Sequence, residues 1–448
     1  MLIVIRYSLR QSIVEHVGNL DGFKKRVLHW CSGFDPIVYL DNNAYSSYRH
    51  SKFETLVAVG QTELLQCEVG NAFESLRQFL KTPAWTFGFM TYDLKNEIER
   101  LESNRFDGIG MPALYFFRPK VLMIVRGEEV EIQSDTTDPQ EIFRAITTTS
   151  VPRFADAHNL PIKQRFTMEE YCSTAERLRE HIAAGDVYEV NLCQEFFADD
   201  VRLDPLSVFE KLNTITRTPF ASFVKAGDKY LMSASPERFL MKHGNQLISQ
   251  PIKGTIRRSR DASEDDRLKE QLRNDPKERA ENVMITDLVR NDLAKSSKPG
   301  SVTVEELCGV YSFEGVHQLV TTVTSELRDG EDAVTAMRNA FPMGSMTGAP
   351  KIAAMELIEK YEKTKRGLYS GSVGYFTPDG DFDFNVVIRS MLYNAETKYL
   401  SFHTGGAITY DSDPELEWEE CLLKAENMIR ALTAPNPQKG NRVSDQLL

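Results

Sequence analysis

Apolar residues recur along this chain with two different periods, and the balance between them shifts near residue 166. Over residues 1–150 they come as short runs at 37–40, 55–59, 85–90 and 113–117. Their length and their β-branched and aromatic content predict strands. Residues 121–125 and 130–132 predict a hairpin across a turn containing Gly127. Arg6 and Arg10 break the opening apolar run, so residues 1–10 predict a first strand rather than a secretory leader. Helical periodicity in this region is confined to 72–81 and 139–147. The polar stretch 148–161, with Pro152 and Pro161, predicts a connection.

Beyond Phe166 helices become frequent. Thr167 precedes Glu169, Glu170 and an apolar rhythm of Tyr171, Ala175, Leu178 and Ile182 that stops at Gly185, which predicts a capped helix. Residues 187–197 alternate as a strand, 205–217 predict a second helix, and 221–224 with 230–234 a hairpin. Another hairpin follows, with strands through 239–241 and 247–248 and a turn at 243–245. The charged run 257–266 reads as a solvated loop or helix face, and Pro276 opens a further helix. The Gly-rich residues 341–350 run into a helix near Pro350 whose apolar stripe is Ile352, Met355 and Ile358. Residues 381–393 predict an alternating strand with Asp383, Asn385, Val387 and Arg389 on one face. Asp413 and Pro414 mark the start of the last helix, and 435–448 reads as a flexible tail.

At 448 residues, 41% of them hydrophobic and 26% charged, the chain has ample core. A net charge of −12 with no basic tract argues against nucleic-acid or anionic-membrane binding, though a local site for a small anion remains open. No run approaches the roughly 20 apolar residues of a membrane span. The six cysteines show no CxxC or CxxH spacing, which argues against a disulfide framework or zinc site and favours a reduced, cytoplasmic setting.

Four features carry candidate chemistry. In the 239–248 hairpin, a turn centred on Gly244 sets Glu237 opposite Pro251 and Lys253 one diagonal step away, within about 7–8 Å. Carboxyl and amine are then either an acid and nucleophile pair, with Gly254 leaving room for close approach, or a surface ion pair. Second, the loop before Pro350 gathers Ser345, Thr347, Gly348 and Lys351 at a helix start, a seat for a carboxylate or phosphate. It lacks the GxxxxGK[ST] spacing of a nucleotide loop. Third, Arg389 and Asp383 on one strand face suit carboxylate recognition, and Gly405 and Gly406 let backbone approach a ligand. Fourth, Glu278 with Glu281 and Glu417 with Glu420 each share a helix face. Those pairs are either solvent faces or oxygen ligands for a hard cation, most simply Mg²⁺.

Several segments together resemble the chorismate-utilising enzyme family: Ser235-Pro236-Glu237-Arg238, Pro251-Ile252-Lys253-Gly254-Thr255, Glu281-Asn282 with Asp287 and Asp292, Gly344-Ser345-Met346-Thr347-Gly348-Ala349-Pro350-Lys351, Gly374-Tyr375, Ile388-Arg389 and Gly405-Gly406. They span residues 166–432. The resemblance implies an α+β fold of two large, mainly antiparallel sheets packed as a sandwich with helices outside. It also implies that a sheet-rich N-terminal region, residues 1–155, is entwined with a chorismate-binding catalytic domain, residues 156–434. Lys at position 253, where the anthranilate-forming branch carries Ala, implies amination of chorismate at C4 toward p-aminobenzoate and folate. In that scheme Lys253 is the nucleophile, Glu237 the acid, and Lys253 needs a lowered pKa to attack.

The resemblance further implies Mg²⁺ ligation by Glu281 and Glu420, supported by Glu278 and Glu417. Substrate contacts fall to Thr255, Ser345, Thr347, Gly348, Lys351, Tyr375, Asp383, Arg389, Gly405 and Gly406. His317, one step from the family's histidine position, which holds Gln318 here, is a further candidate catalytic residue. Because the 448 residues hold no Gly-x-Cys-x-Gly elbow, ammonia is expected from a separate glutamine amidotransferase subunit, as a heterodimer. The competing readings are an enzyme releasing anthranilate and pyruvate, one using water for isochorismate or salicylate, and a catalytically silent regulatory subunit.

Overall fold

The computed structural model describes residues 10–45, 48, 50–152 and 160–433. Residues 1–9 of the first predicted strand, 153–159 of the connection and the 435–448 tail lie outside the described residues. The 20 strands described form one continuous hydrogen-bonded sheet that folds over on itself.

Two long strands make that fold possible. Thr55–Cys67 and Leu114–Arg126 pair with each other along their length. The first half of Leu114–Arg126 also pairs with Thr86–Met90, and its second half with Glu129–Ser134. From this stem the sheet divides. One leaf continues through Ile37–Asp41, Phe220–Ala226, Lys229–Ser235, Ser390–Asn394, Tyr399–Ile408 and Glu189–Ala198. The other continues from Thr86–Met90 through Ser372–Phe376, Phe382–Asn385, Arg238–His243, Gln246–Gln250 and Val316–Glu326.

Alternation sorts the side chains into three layers. Between the leaves, Val38, Leu56, Leu122 and Leu231 meet Phe87, Phe89, Val373 and Tyr375. Outside the first leaf, Tyr39, Val57, Met123 and Phe402 pack under the helices Leu20–Cys31, Pro205–Thr216 and Pro414–Leu432. Outside the second, Leu240, Leu247, Val323 and Phe384 pack under Pro276–Ala294 and Ala333–Ala340. The α+β sandwich with outer helices expected from the sequence is found, with pairing unbroken from leaf to leaf. No helix among the described residues is long and apolar enough to cross a membrane.

Locally signalled elements fall where the pattern put them. Thr167 and Glu170 form a reciprocal capping box on Met168–Ala184, and Gly185 ends that helix at φ 87°. One predicted element does not survive. The strand read over 381–393 stops at Asn385, and pairing resumes only at Ser390. In the gap the Val386 N–H bonds the Glu237 carbonyl, the Val387 N–H bonds the Gly371 carbonyl, and Arg389 takes φ 50°. Two-residue alternation therefore cannot carry a face from Asp383 to Arg389. The stripe of Lys351–Tyr361 also differs, with Ala354, Met355 and Ile358 buried and Ile352 exposed.

Candidate active site

The hairpin that carries Glu237 runs Arg238–His243 and Gln246–Gln250, with Gly244 at φ 57° in the turn. Near the turn Met241 faces Ile248, but further on Arg238 faces Gln250, one residue out of step. That bulge restores the alignment of Glu237 with Pro251 that a turn centred on Gly244 was expected to give. The next strand, Ile252–Arg257, pairs with Val316–Glu326 and has its own irregularity between Ile252 and Thr255. Lys253 and Gly254 fall in it. A bulge re-aims its side chains, and here it sends the Lys253 amine under the outer helices.

Glu237 is 3% exposed and accepts hydrogen bonds from the Ser345 hydroxyl at 2.6 Å and from the Ile252 N–H. Burial pushes its carboxyl up to about 7, although Ser345, Lys253 and Arg389 all pull the other way. Near neutral pH this acid can still hold a proton. The native carboxyl keeps the proton that an unfolded chain releases near its ordinary 4.5, so rising pH between 4.5 and about 7 lowers stability. The loss is on the order of 3 kcal/mol across that window and levels off above it. Glu237→Gln should make the profile shallower, leaving the share of Glu281, which is likewise raised to about 7, and denaturant unfolding at about pH 5 and pH 8 would read the difference. A wild-type-like slope in the variant would assign the effect elsewhere.

The Lys253 amine lies 2.8 Å from Glu189 Oε1. Burial favours the neutral amine, yet the charges of Glu189, Glu281 and Glu237 outweigh it and hold the pKa above the ordinary lysine value. The lowered pKa expected for a nucleophile is thus not found, because three carboxylates surround the nitrogen. Sequence reasoning missed Glu189. It opens the strand Glu189–Ala198, whose residues are almost all buried. A charged residue on such a strand needs a partner, and that was the available signal.

The two acid pairs come into electrostatic reach of one another across the helices Pro276–Ala294 and Pro414–Leu432. Burial raises Glu281 to about 7, with Glu189 and Glu278 adding to it against the pull of Lys253. Burial and the Glu420 charge raise Glu278, and burial raises Glu417, whose carboxylate accepts the Ser412 hydroxyl at 2.8 Å. Glu420 is held down by Lys424, 2.6 Å away. Backbone without side chains borders the cluster: a Cβ on Gly254 would sit 3.0 Å from Glu278 Oε2, and one on Gly406 2.9 Å from Glu417 Oε2. A cluster of carboxylates that runs from the buried Glu417 through the half-buried Glu278 and Glu281 to the exposed Glu420 suits a hard cation in its chemistry. Among the described residues, however, no three such side chains converge on a metal-sized point. Arg389 completes the group. Its guanidinium makes no hydrogen bond or ion pair among the described residues, and burial lowers it to about 10 against the pull of Glu237.

The site thus gathers an acid, an amine, a guanidinium and a cluster of carboxylates in one place. The profile of the chorismate binding enzyme family matches residues 33–430. The chain belongs to that family. It is 33% identical over 431 residues to anthranilate synthase component 1 of Cereibacter sphaeroides, covering 92% of this chain and 85% of that one. It is 35% identical over 347 residues to aminodeoxychorismate synthase component 1 of Klebsiella aerogenes, covering 77% and 76%. The crystal structure of anthranilate synthase component I from Streptococcus pneumoniae superposes with a TM-score of 0.74 at 26% identity, over 84% of this chain and 91% of that one. The protein is accordingly a chorismate-utilising enzyme.

Other residues that the family resemblance assigned to the site lie elsewhere. Asp383 is paired with Arg238, at 2.9 and 3.0 Å, and Tyr375 packs against Trp85 and Phe87 between the leaves. Both are across the sheet from Glu237, because Phe382 and Phe384 take the face under the helices. Thr255 is exposed and accepts a bond from Gln318 at 3.1 Å. His317 holds Ser312 at 2.8 Å and Asp265 at 3.2 Å rather than Glu237 or Lys253. The Lys351 amine turns back to Asp292 and to the Ala340 and Pro342 carbonyls, and the Thr347 hydroxyl bonds the Met343 and Gly344 carbonyls. Lys351 and Thr347 therefore shape the family's Gly-rich loop from within.

That loop is pinned to the Glu189 strand. Gly348 pairs with Val190, the Asn191 N–H bonds the Thr347 carbonyl at 2.8 Å, and the Asn191 amide bonds the Ser345 carbonyl at 2.8 Å. Gly348 has φ 147°, and a Cβ there would lie 2.1 Å from the Glu189 carbonyl oxygen. Gly405 meets the Leu192 carbonyl in the same way, at 2.1 Å, so it serves strand contact before any ligand. Gly348→Ala should cost about 1–3 kcal/mol by overpacking and lower activity, since Ser345 moves with the loop. Thermal unfolding and turnover of chorismate would show it, and wild-type values for both would deny the loop its fixed seat.

Proposed function

We propose that the protein aminates chorismate at C4 to give 4-amino-4-deoxychorismate, as an aminodeoxychorismate synthase component I. The observation that carries this reading is the half-buried Lys253 amine, which lies in a bulge of its strand and close enough to Glu237 for each group to shift the other's pKa. Glu237 gives its proton to the departing C4 hydroxyl while Lys253 adds to ring C2, and ammonia then adds at C4 as Lys253 leaves. Arg389, unpaired and beside Glu237, suits a substrate carboxylate.

Mg²⁺ belongs to the proposal, with Glu281 and Glu420 as ligands and Glu278 and Glu417 behind them. When bound it would neutralise the ring carboxylate of the substrate. Ammonia would come from a separate glutamine amidotransferase subunit, in keeping with the "component 1" names of the relatives. The product would feed p-aminobenzoate and folate synthesis.

A second reading, anthranilate synthesis, is favoured by the Cereibacter relative, whose match spans 92% of the chain. Purified protein with chorismate, Mg²⁺ and ammonium separates the two by product mass. An amino-chorismate without pyruvate supports the proposal, and anthranilate with pyruvate overturns it.

A further inference from the structure

Glu189 has no role in the steps above, yet it is the only hydrogen-bond partner of the Lys253 amine among the described residues. It is fully buried, and its second oxygen, Oε2, has no partner. The alternatives are committed elsewhere. Glu237 is held by Ser345 and the Ile252 N–H. Glu281 has its nearest ion pair with Lys277, at 4.0 Å. Glu189 is also held rigidly, because its strand is fastened to the loop that carries Ser345.

We propose that Glu189 is a catalytic residue: it takes a proton from Lys253 to free the amine for attack and returns it when Lys253 leaves. This rests on the amination reading. The Lys253 ammonium passes one proton to Glu189 Oε1. The neutral amine forms its bond to ring C2, the ring double bond shifts, and the C4–O bond breaks, with the Glu237 proton leaving in water. Ammonia forms a bond to C4, the double bond shifts back, and the C2–N bond electrons return to the lysine nitrogen as a neutral amine. Glu189 then gives its proton back to Lys253, and the new C4 ammonium gives one to Glu237. Chorismate and ammonia become amino-chorismate and water, and each side chain ends as it began. The surrounding carboxylates, which hold Lys253 charged at rest, thereby become compatible with its nucleophilic role.

The test uses the full chain with chorismate, Mg²⁺ and ammonium. Glu189→Gln keeps a hydrogen-bond acceptor for Lys253 but cannot take its proton. It should lower kcat by about a hundredfold with the KM for chorismate unchanged. Glu189→Ala should be equally slow and be rescued by added formate, a carboxylate small enough for the vacated space, whereas formate should not rescue Lys253→Ala. A purely structural Glu189 would leave Glu189→Gln near wild-type kcat. That result, or formate without effect on Glu189→Ala, overturns the assignment while the wild type still makes the amino product. Anthranilate from the wild type would instead overturn the amination reading itself.

Discussion

Lys253→Ala is expected to abolish amination, with kcat falling by roughly a thousandfold or more, as when a nucleophile that works as a unit with its acid is removed. Among the groups that act on Glu237, Lys253 is the one that carries an amine, and its neighbours in the bulge, Ile252 and Gly254, have no side chain that could replace it. The wild type incubated with chorismate but without ammonia should gain the mass of chorismate less water, and the variant should not. Removing the lysine also leaves Glu189 charged in a fully buried place, which is costly in itself. Lys253→Met combined with Glu189→Gln removes both charges and separates loss of chemistry from loss of fold. If Lys253→Ala turned over chorismate and ammonium at the wild-type rate, Lys253 would have no place in the mechanism.

Glu362→Ala should give the largest loss of stability, about 3–5 kcal/mol, because it strips the partner from a buried arginine. Arg366 is gripped by both oxygens of Glu362, at 2.6 and 2.9 Å, and its remaining donors reach the Met346 carbonyl at 2.6 Å and the Asn191 carbonyl at 3.2 Å. Glu362 in turn accepts the Cys193 N–H at 2.9 Å. Met346 neighbours Ser345 and Asn191 lies two residues from Glu189, so this ion pair is a clamp between the loop and the strand of the site. Activity should fall with stability. Glu362→Leu with Arg366→Met should recover only some of the stability, since the two carbonyls and the N–H stay unpaired. Urea unfolding decides it: a midpoint for Glu362→Ala close to the wild type would mean that the pair is not a clamp.

What the sequence showed follows the range of each signal. Helices announced by their own ends were legible, as Thr167, Glu170 and Gly185 show for one and Asp413 and Pro414 for another. The meeting of Glu237, Lys253 and Ser345 was legible through motif order. A bulge inserts one residue and leaves no mark in composition, so the two that aim Glu237 and Lys253 could not be read. The same blindness sent Asp383 and Arg389 to a common face. Extended periodicity was carried through residues 386–389, where main-chain bonds to Glu237 and Gly371 break it. The partnership of Glu189 with Lys253 joins residues 64 positions apart and is visible only once the leaves are folded.

The unbroken pairing from leaf to leaf also sets when this protein can fold. Ile37–Asp41 finds its second neighbour in Phe220–Ala226, and Thr86–Met90 finds one in Ser372–Phe376. While the chain is being made, the earliest strands wait with open edges until most of the remainder has been synthesised. Contacts so distant in sequence make for slow folding, and open strand edges are what other chains aggregate on. A nascent chain of this protein therefore carries open strand edges for most of its synthesis, and the strand Tyr399–Ile408, which pairs with Glu189–Ala198, can close the sheet only after residue 408 has left the ribosome.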